Sequence, residues 1–363
     1  MSFEVDTDSL RKFSGFLEDF GRDAWSLELS MNSLDMTDHG EGLLFGLSGY
    51  HADVVESMTR RVSLLSMIGD EAGTEIEFAA DSYDKEDQED AARLDKGYQG
   101  DSGDGTFMFK DPPSKTSFDY KEASEGLDVA KEDVDGLEPK AGWLENGLRF
   151  VSDRGSYMYY ARELLSGICS SVGLFEETNG DPVSFLVQTL SGDWRAWAEC
   201  ALQWRGCSWV IHKMAGQFDS ALAKLQEDWQ GNAADAALEY FSKLKEAMDV
   251  EAETFKHLYE SYKLCAELAY EVQTYVSDFV NTILDLAIDF IVICMTGGMA
   301  APAALVRDLV GAVLTLGIVI IQTVKMAETI IQAMSMDDAP KCELRKLPGA
   351  GKSRLYDHPA EAV

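Results

Sequence analysis

Apolar residues recur near the start of the chain at steps of three and four. Leu10, Phe13, Leu17, Phe20, Ala24, Leu27 and Met31 fall on one stripe of a 3.6-residue helix. The pattern predicts a helix over residues 7–31. Thr7, Asp8 or Ser9 is its expected cap, because a short side-chain oxygen there can accept from an orphan N–H of the first turn. Gly40 and Gly42 mark a turn. A second stripe, Val55, Met58, Val62, Leu65, Ile68, Ala72, Ile76, Ala79 and Tyr83, predicts a longer helix over 50–98. Two amphipathic helices joined by a short turn form an antiparallel hairpin, and residues 1–98 are read as one. A lone hairpin cannot cover both of its stripes, so this one needs a partner.

Residues 99–142 change character. They are rich in Gly, Asp, Pro and Ser and read as an acidic linker. Helical spacing resumes in residues 143–335, with a break at Asn179, Gly180, Asp181 and Pro182. One stripe there is Cys200, Trp204, Cys207, Ile211, Met214, Phe218, Leu222 and Leu225. After a turn at Trp229-Gln-Gly-Asn232 comes another: Ala237, Phe241, Leu244, Met248, Phe255, Leu258, Tyr262, Cys265, Leu268, Val272, Val276 and Phe279. These predict a second hairpin over 182–280. Residues 287–305 and 309–324 are strongly apolar runs parted by Arg307 and Asp308, and the tail 336–363 is polar. The charge-free run 309–324 is shorter than the roughly 20 residues a spanning helix needs, so the pair is read as a buried helical hairpin, with a membrane hairpin as the alternative. No alternating strand pattern of useful length occurs. The expected class is all-α, an elongated four-helix-type bundle with an apolar C-terminal helical hairpin.

Charge narrows the partners. Sixty-four acidic residues against 31 basic ones give the 363-residue chain a net charge of -33. That sign opposes binding to a phosphate backbone and charge-driven docking on anionic lipid. Six cysteines are scattered without a Cys-x-x-Cys pair, and five histidines show no ligand spacing. The cysteines are expected to be buried free thiols. The start of the chain lacks a basic segment followed by an apolar one, so no secretory signal peptide is expected.

Two local motifs fall short of the chemistry they resemble. Pro348-Gly-Ala-Gly351-Lys352-Ser353 has half of a phosphate-binding loop, but Lys346 stands where the first glycine is needed. Asp101-Ser-Gly-Asp104-Gly lacks the alternating ligands and terminal Glu of a calcium loop. No Ser/His/acid or Cys/His set appears, so no catalytic residue, cofactor or metal is expected. Of two Trp-x-Gly triplets, Trp204-Arg-Gly206 lies in mid-helix and reads as core. Trp229-Gln-Gly231 sits where the chain must reverse. Gly231 suits an unusual backbone shape and the indole can close the hairpin end. The small residues Ala233, Ala234, Ala236 and Ala237 follow.

A hairpin with Trp-x-Gly in its turn and an alanine-rich second helix resembles the small Trp-x-Gly proteins exported by type VII (ESX-like) secretion systems. Residues 181–334 are similar to the helical secretion domains of actinobacterial toxins and secretion-associated proteins. Gly192-Asp-Trp194, the Trp204 helix, the Trp229 turn and an apolar hairpin occur there in that order. The N-terminal hairpin resembles the small secretion-associated partners, which carry Tyr-x-x-x-Asp/Glu at the end of a second helix. Tyr83-Asp-Lys-Glu-Asp87 fits that place, and Tyr159 with Glu163 is a second match.

The resemblance implies a composite export signal, Tyr83 and Asp87 beside Trp229 and Gly231, read by the secretion ATPase. A small helical Trp-x-Gly protein or a toxin is a further implied partner. The two hairpins of such a signal usually come from two chains. Here both lie in one, and they are expected to pack together with Tyr83 at the Trp229 turn; the rival is that each recruits a partner in trans. Toxins of the class carry an enzymatic domain after the apolar hairpin, for which little chain remains, so the expected role is a non-enzymatic substrate or adaptor, synthesised in the cytoplasm and secreted. The alternative is a membrane-active or pore-forming effector using residues 287–324.

Overall fold

The computed structural model describes residues 4–32, 34, 48–85, 93, 116–124, 127, 194–296 and 342–347. Within them the fold is all-α, with one two-stranded pairing. Helix α1 spans Thr7–Met31, α2 Ser48–Lys85, α3 Trp194–Asp228 and α4 Asn232–Thr296. Strand β1 (Glu4–Val5) precedes α1, and β2 (Trp229–Gln230) separates α3 from α4. A short 3-10 turn, Glu343–Lys346, follows later in the chain.

The cap of α1 differs from expectation. Asp6, not Thr7, Asp8 or Ser9, accepts from the Ser9 N–H (3.2 Å). Its extended backbone is fixed from outside, because its own N–H donates to the Asp228 carbonyl at 2.9 Å. Helix α4 runs 65 residues without a glycine or proline, about 98 Å at 1.5 Å per residue, and takes in the first residues of the run 287–305.

The stripes face inward. All seven predicted residues of α1 have no exposure, and the predicted stripe of α3 is buried throughout. On α2 the face is rotated slightly at its ends: Val54 and Ala80 are buried, while Val55 and Ala79 are only partly covered. On α4 the residues from Phe241 to Leu268 are buried and Ala237 is half-buried; the side chains of Val272, Val276 and Phe279 lie outside the described ones.

Helices α1 and α2 lie antiparallel, with Arg11 beside Asp81 and Asp84, Ser14 beside Gly73, and Gly21 against Gly69. The crossing is close enough for a buried Ser14 hydroxyl to donate to the Gly73 carbonyl at 2.8 Å. Helices α3 and α4 are likewise antiparallel: Trp194 meets Tyr270, the Ser208 hydroxyl donates to the Ala252 carbonyl, and Phe218 meets Phe241.

The two hairpins share one core. Phe218 meets Phe16 and Phe20 edge-on at 5.2 Å, and Phe13 meets Phe241 at 5.0 Å. Each fully buried ring of this kind contributes about 1.5–3 kcal/mol of transfer energy. Helix α2 runs antiparallel to α4 in a regular register. His51 Nδ1 accepts from the Tyr262 hydroxyl (2.7 Å) while its Nε2–H donates to the Leu34 carbonyl (3.0 Å); the carbonyl can only accept, which sets the tautomer. Ten residues on, Arg61 pairs with Glu251, and near the end of α2 Tyr83 meets Trp229.

Two short segments lie outside the helices and bind to them. Residues 116–124, within the stretch read as linker, lie on α1 and α3. The turn Glu343–Lys346 lies on α2 and α4 with Leu344 buried. The first turn near Gly40, most of 99–142, the breaker at 179–182 and the region 297–341, with most of the apolar hairpin, lie outside the described residues. Among the described residues no helix is long and apolar enough to cross a membrane.

Candidate functional site

The candidate site is the end of the bundle where α3 hands over to α4. After Asp228 the chain extends for two residues and pairs with β1 in antiparallel register, Val5 opposite Trp229 and Glu4 opposite Gln230. Gly231 then takes φ 139°, a backbone shape that L side chains rarely adopt. Its carbonyl accepts from the Asp235 N–H at 3.0 Å, so the first turn of α4 starts at once. Ala233 and Ala234 are buried beneath that turn, as their small side chains permit. The N-terminus therefore locks the turn: β1 pairs with it, and the next residue, Asp6, caps α1 and binds Asp228.

Trp229 is 4% exposed, and its ring meets the half-buried Tyr83 ring at 6.2 Å with 70° between the planes. This edge-to-face geometry contributes about 0.5–1.5 kcal/mol beyond area burial. The indole N–H is buried and has no acceptor among the described residues, so packing fixes the ring. Tyr83 sits on the last turn of α2, and an ion-pair group holds that turn to α1. Arg11 donates to Asp81 (3.1 Å) and Asp84 (2.5 Å). The Arg11 and Thr7 hydrogen bonds hold the Asp84 carboxyl below its usual range. On the facing helix Lys224 pairs with Asp228 at 2.7 Å, and that bond raises the Lys224 ammonium above its usual value. Three of the four anticipated residues, Tyr83, Trp229 and Gly231, thus lie at one end of the described helices. Asp87, Tyr159 and Glu163 lie outside the described residues.

This end presents two packed rings, a fixed turn and a margin of paired charges. Among the described residues no group of His, Cys, Asp and Glu is placed to hold a metal ion. Cys200, Cys207 and Cys265 are buried free thiols pushed up to about 12 by burial, so they remain protonated at neutral pH. Trp204 of the other triplet has no exposure and packs against Phe255 and Tyr262, in keeping with a core role.

Sequence reasoning missed the β1–β2 pairing and the Arg11 group. Two residues cannot display an alternation, although Val5 just ahead of a capping aspartate was a signal that the chain enters α1 from a covered position. Set against family models, curated proteins and solved structures, the chain matches none of them.

Proposed function

We propose that the chain is a non-enzymatic substrate or adaptor of a type VII (ESX-like) secretion system, and that it presents a composite export signal from a single polypeptide. The observation that carries this reading is the contact between Tyr83 and Trp229. The two residues belong to different hairpins, 146 positions apart by their residue numbers. The resemblance requires a Tyr-x-x-x-acid helix end beside a Trp-x-Gly turn, and a bundle in which each hairpin buries the other's stripe supports that pairing in cis. The recognising partner in this reading is the secretion ATPase, which meets the end formed by Tyr83, Asp87, Trp229 and Gly231. A small helical Trp-x-Gly protein or a toxin is a second partner, held through an outer helix face.

The test is export from cells that carry such a system. The tagged chain is expected in the culture medium of the parent strain and only inside cells that lack the ATPase. Tyr83→Ala and Asp87→Ala should each retain the chain in the cell with near-normal helix content. Release independent of the ATPase removes the proposal, and loss with Tyr159→Ala alone moves the signal to the other copy.

A further inference from the structure

Residues 116–124 occupy a groove that α1 and α3 form. Asp23, 2% exposed on α1, accepts from the Tyr120 hydroxyl (2.7 Å) and from the N–H groups of Ala123 (2.8 Å) and Ser124 (2.9 Å). On α3 the Gln217 amide binds both main-chain polar groups of one residue: its Oε1 accepts from the Lys121 N–H (2.6 Å) and its Nε2 donates to the Lys121 carbonyl (2.9 Å). Lys213 donates to the Glu122 carbonyl at 3.3 Å. Of these six hydrogen bonds, five engage main-chain atoms of the segment. Side-chain choice enters at three places. Phe118 packs on Phe13 at 5.6 Å, Tyr120 on Phe16 at 5.3 Å, and Ala123, fully buried, has room only for a small side chain.

We propose that this groove is a recognition site for an extended peptide of the pattern aromatic-x-tyrosine-x-x-small, and that residues 116–124 are its resident and displaceable ligand. Polar groups aimed at a peptide's main chain with two ring contacts for selectivity are the economy of a peptide-binding surface, since main-chain bonds give affinity and side-chain sockets give choice. Part of the core forms without the segment: Phe20 and Phe218 meet directly between the helices at 5.2 Å, whereas Phe13 and Phe16 also pack against Phe118 and Tyr120. Asp23 is a buried carboxylate whose hydrogen bonds, among the described residues, all come from the segment, so departure of the segment returns it to water rather than leaving it orphaned. Tethering about 30 residues after α2 gives the resident segment an effective concentration near the millimolar range, so it holds the groove against weak competitors and yields to a stronger one. The inference stands apart from the export reading, since the groove lies along α1 and α3 and not at the Trp229 turn.

The test uses the full chain with Phe118→Ala and Tyr120→Ala, which empties both sockets, and a fluorescent peptide of residues 116–124 followed by anisotropy. The double variant is expected to bind the peptide saturably. A scrambled peptide should bind about tenfold more weakly or worse, and the unmodified chain should also bind about tenfold more weakly because its own segment competes. Adding Asp23→Asn to the double variant should weaken binding about tenfold or more, because the charged acceptor is lost. A folded double variant that fails to bind, or that binds the scrambled peptide equally, overturns the proposal. So does a double variant that loses its helical circular dichroism, since the segment is then core and not ligand.

Discussion

Replacing Gly69 with alanine places a Cβ 2.6 Å from the Gly21 Cα, 2.7 Å from the Gly21 nitrogen and 2.8 Å from the Leu17 carbonyl oxygen. All three are backbone atoms, so no rotamer change relieves the contact. Carbon atoms pack at about 3.5–4.0 Å, and α1 and α2 must therefore separate by about 1 Å at their crossing. Overpacking of this kind costs about 1–3 kcal/mol. The separation also stretches the 2.8 Å bond from Ser14 to the Gly73 carbonyl, which contributes about 0.5–1.5 kcal/mol. Alanine's better helix propensity returns about 0.8–1.0 kcal/mol. The net expectation for Gly69→Ala is a loss of about 1–3 kcal/mol. Gly15 and Gly216 are helical glycines whose added Cβ meets nothing within 4 Å, so the same change there should gain about 0.5–1 kcal/mol. Urea unfolding followed by helical circular dichroism measures all three variants. A Gly69→Ala chain as stable as Gly15→Ala would refute the close crossing.

Arg61→Met leaves Glu251, 1% exposed, without its 2.9 Å partner and should cost about 3–5 kcal/mol, whereas Arg61→Met with Glu251→Leu should return to within about 1 kcal/mol of wild type. A single variant costing no more than the double one would show that the pair does not join α2 to α4 as argued. Gly231→Ala, forced to φ 139°, should lower stability by about 1–3 kcal/mol, and an unchanged melting temperature would contradict the strained turn. Burial raises the carboxyl groups of Glu251, Glu71 and Asp219 above their ordinary values of 4.5 for Glu and 3.8 for Asp, so the folded chain keeps these protons to higher pH than the unfolded chain does. Their contribution is complete below the ordinary values and is lost as pH climbs through the raised ones. The net charge of -33 adds repulsion in the same direction, while Asp84, lowered by Arg11, loses its contribution only at lower pH. The melting temperature should rise from pH 7 to about pH 5; a fall over that window would contradict the raised carboxyls, because the contribution of Asp84 is lost only at pH below its ordinary value of 3.8.

Periodicity carried the helices because the stripes are long: a face repeated over 25 residues, as in α1, admits few other readings. The turn at Gly231 was legible for the same reason, since the stripe of α3 ends where Trp229 and a glycine stand. The end of α2 was less so. Val54 is buried where Val55 was expected, because a 3.6-residue repeat drifts against a straight partner and neighbouring positions exchange roles. The cap was misplaced because Asp6 is set by Asp228, more than 200 residues away, and no local pattern reports such a bond. The docked segment 116–124 was hidden for a related reason. Five of its six hydrogen bonds to Gln217, Lys213 and Asp23 use main-chain atoms, which leave little mark on its sequence beyond Phe118 and Tyr120.

In the export proposal Tyr83 and Trp229 act as one signal, and export of four chains tests this: the unmodified chain, Tyr83→Ala, Trp229→Ala and the double variant, each expressed in cells with a type VII system and each checked for helix content. The fraction released to the medium should fall about tenfold or more for either single change, and the double change should fall no further, because residues that work as a unit are non-additive. Release of folded Tyr83→Ala at the unmodified level would contradict the claim, as would two independent losses that multiply in the double variant.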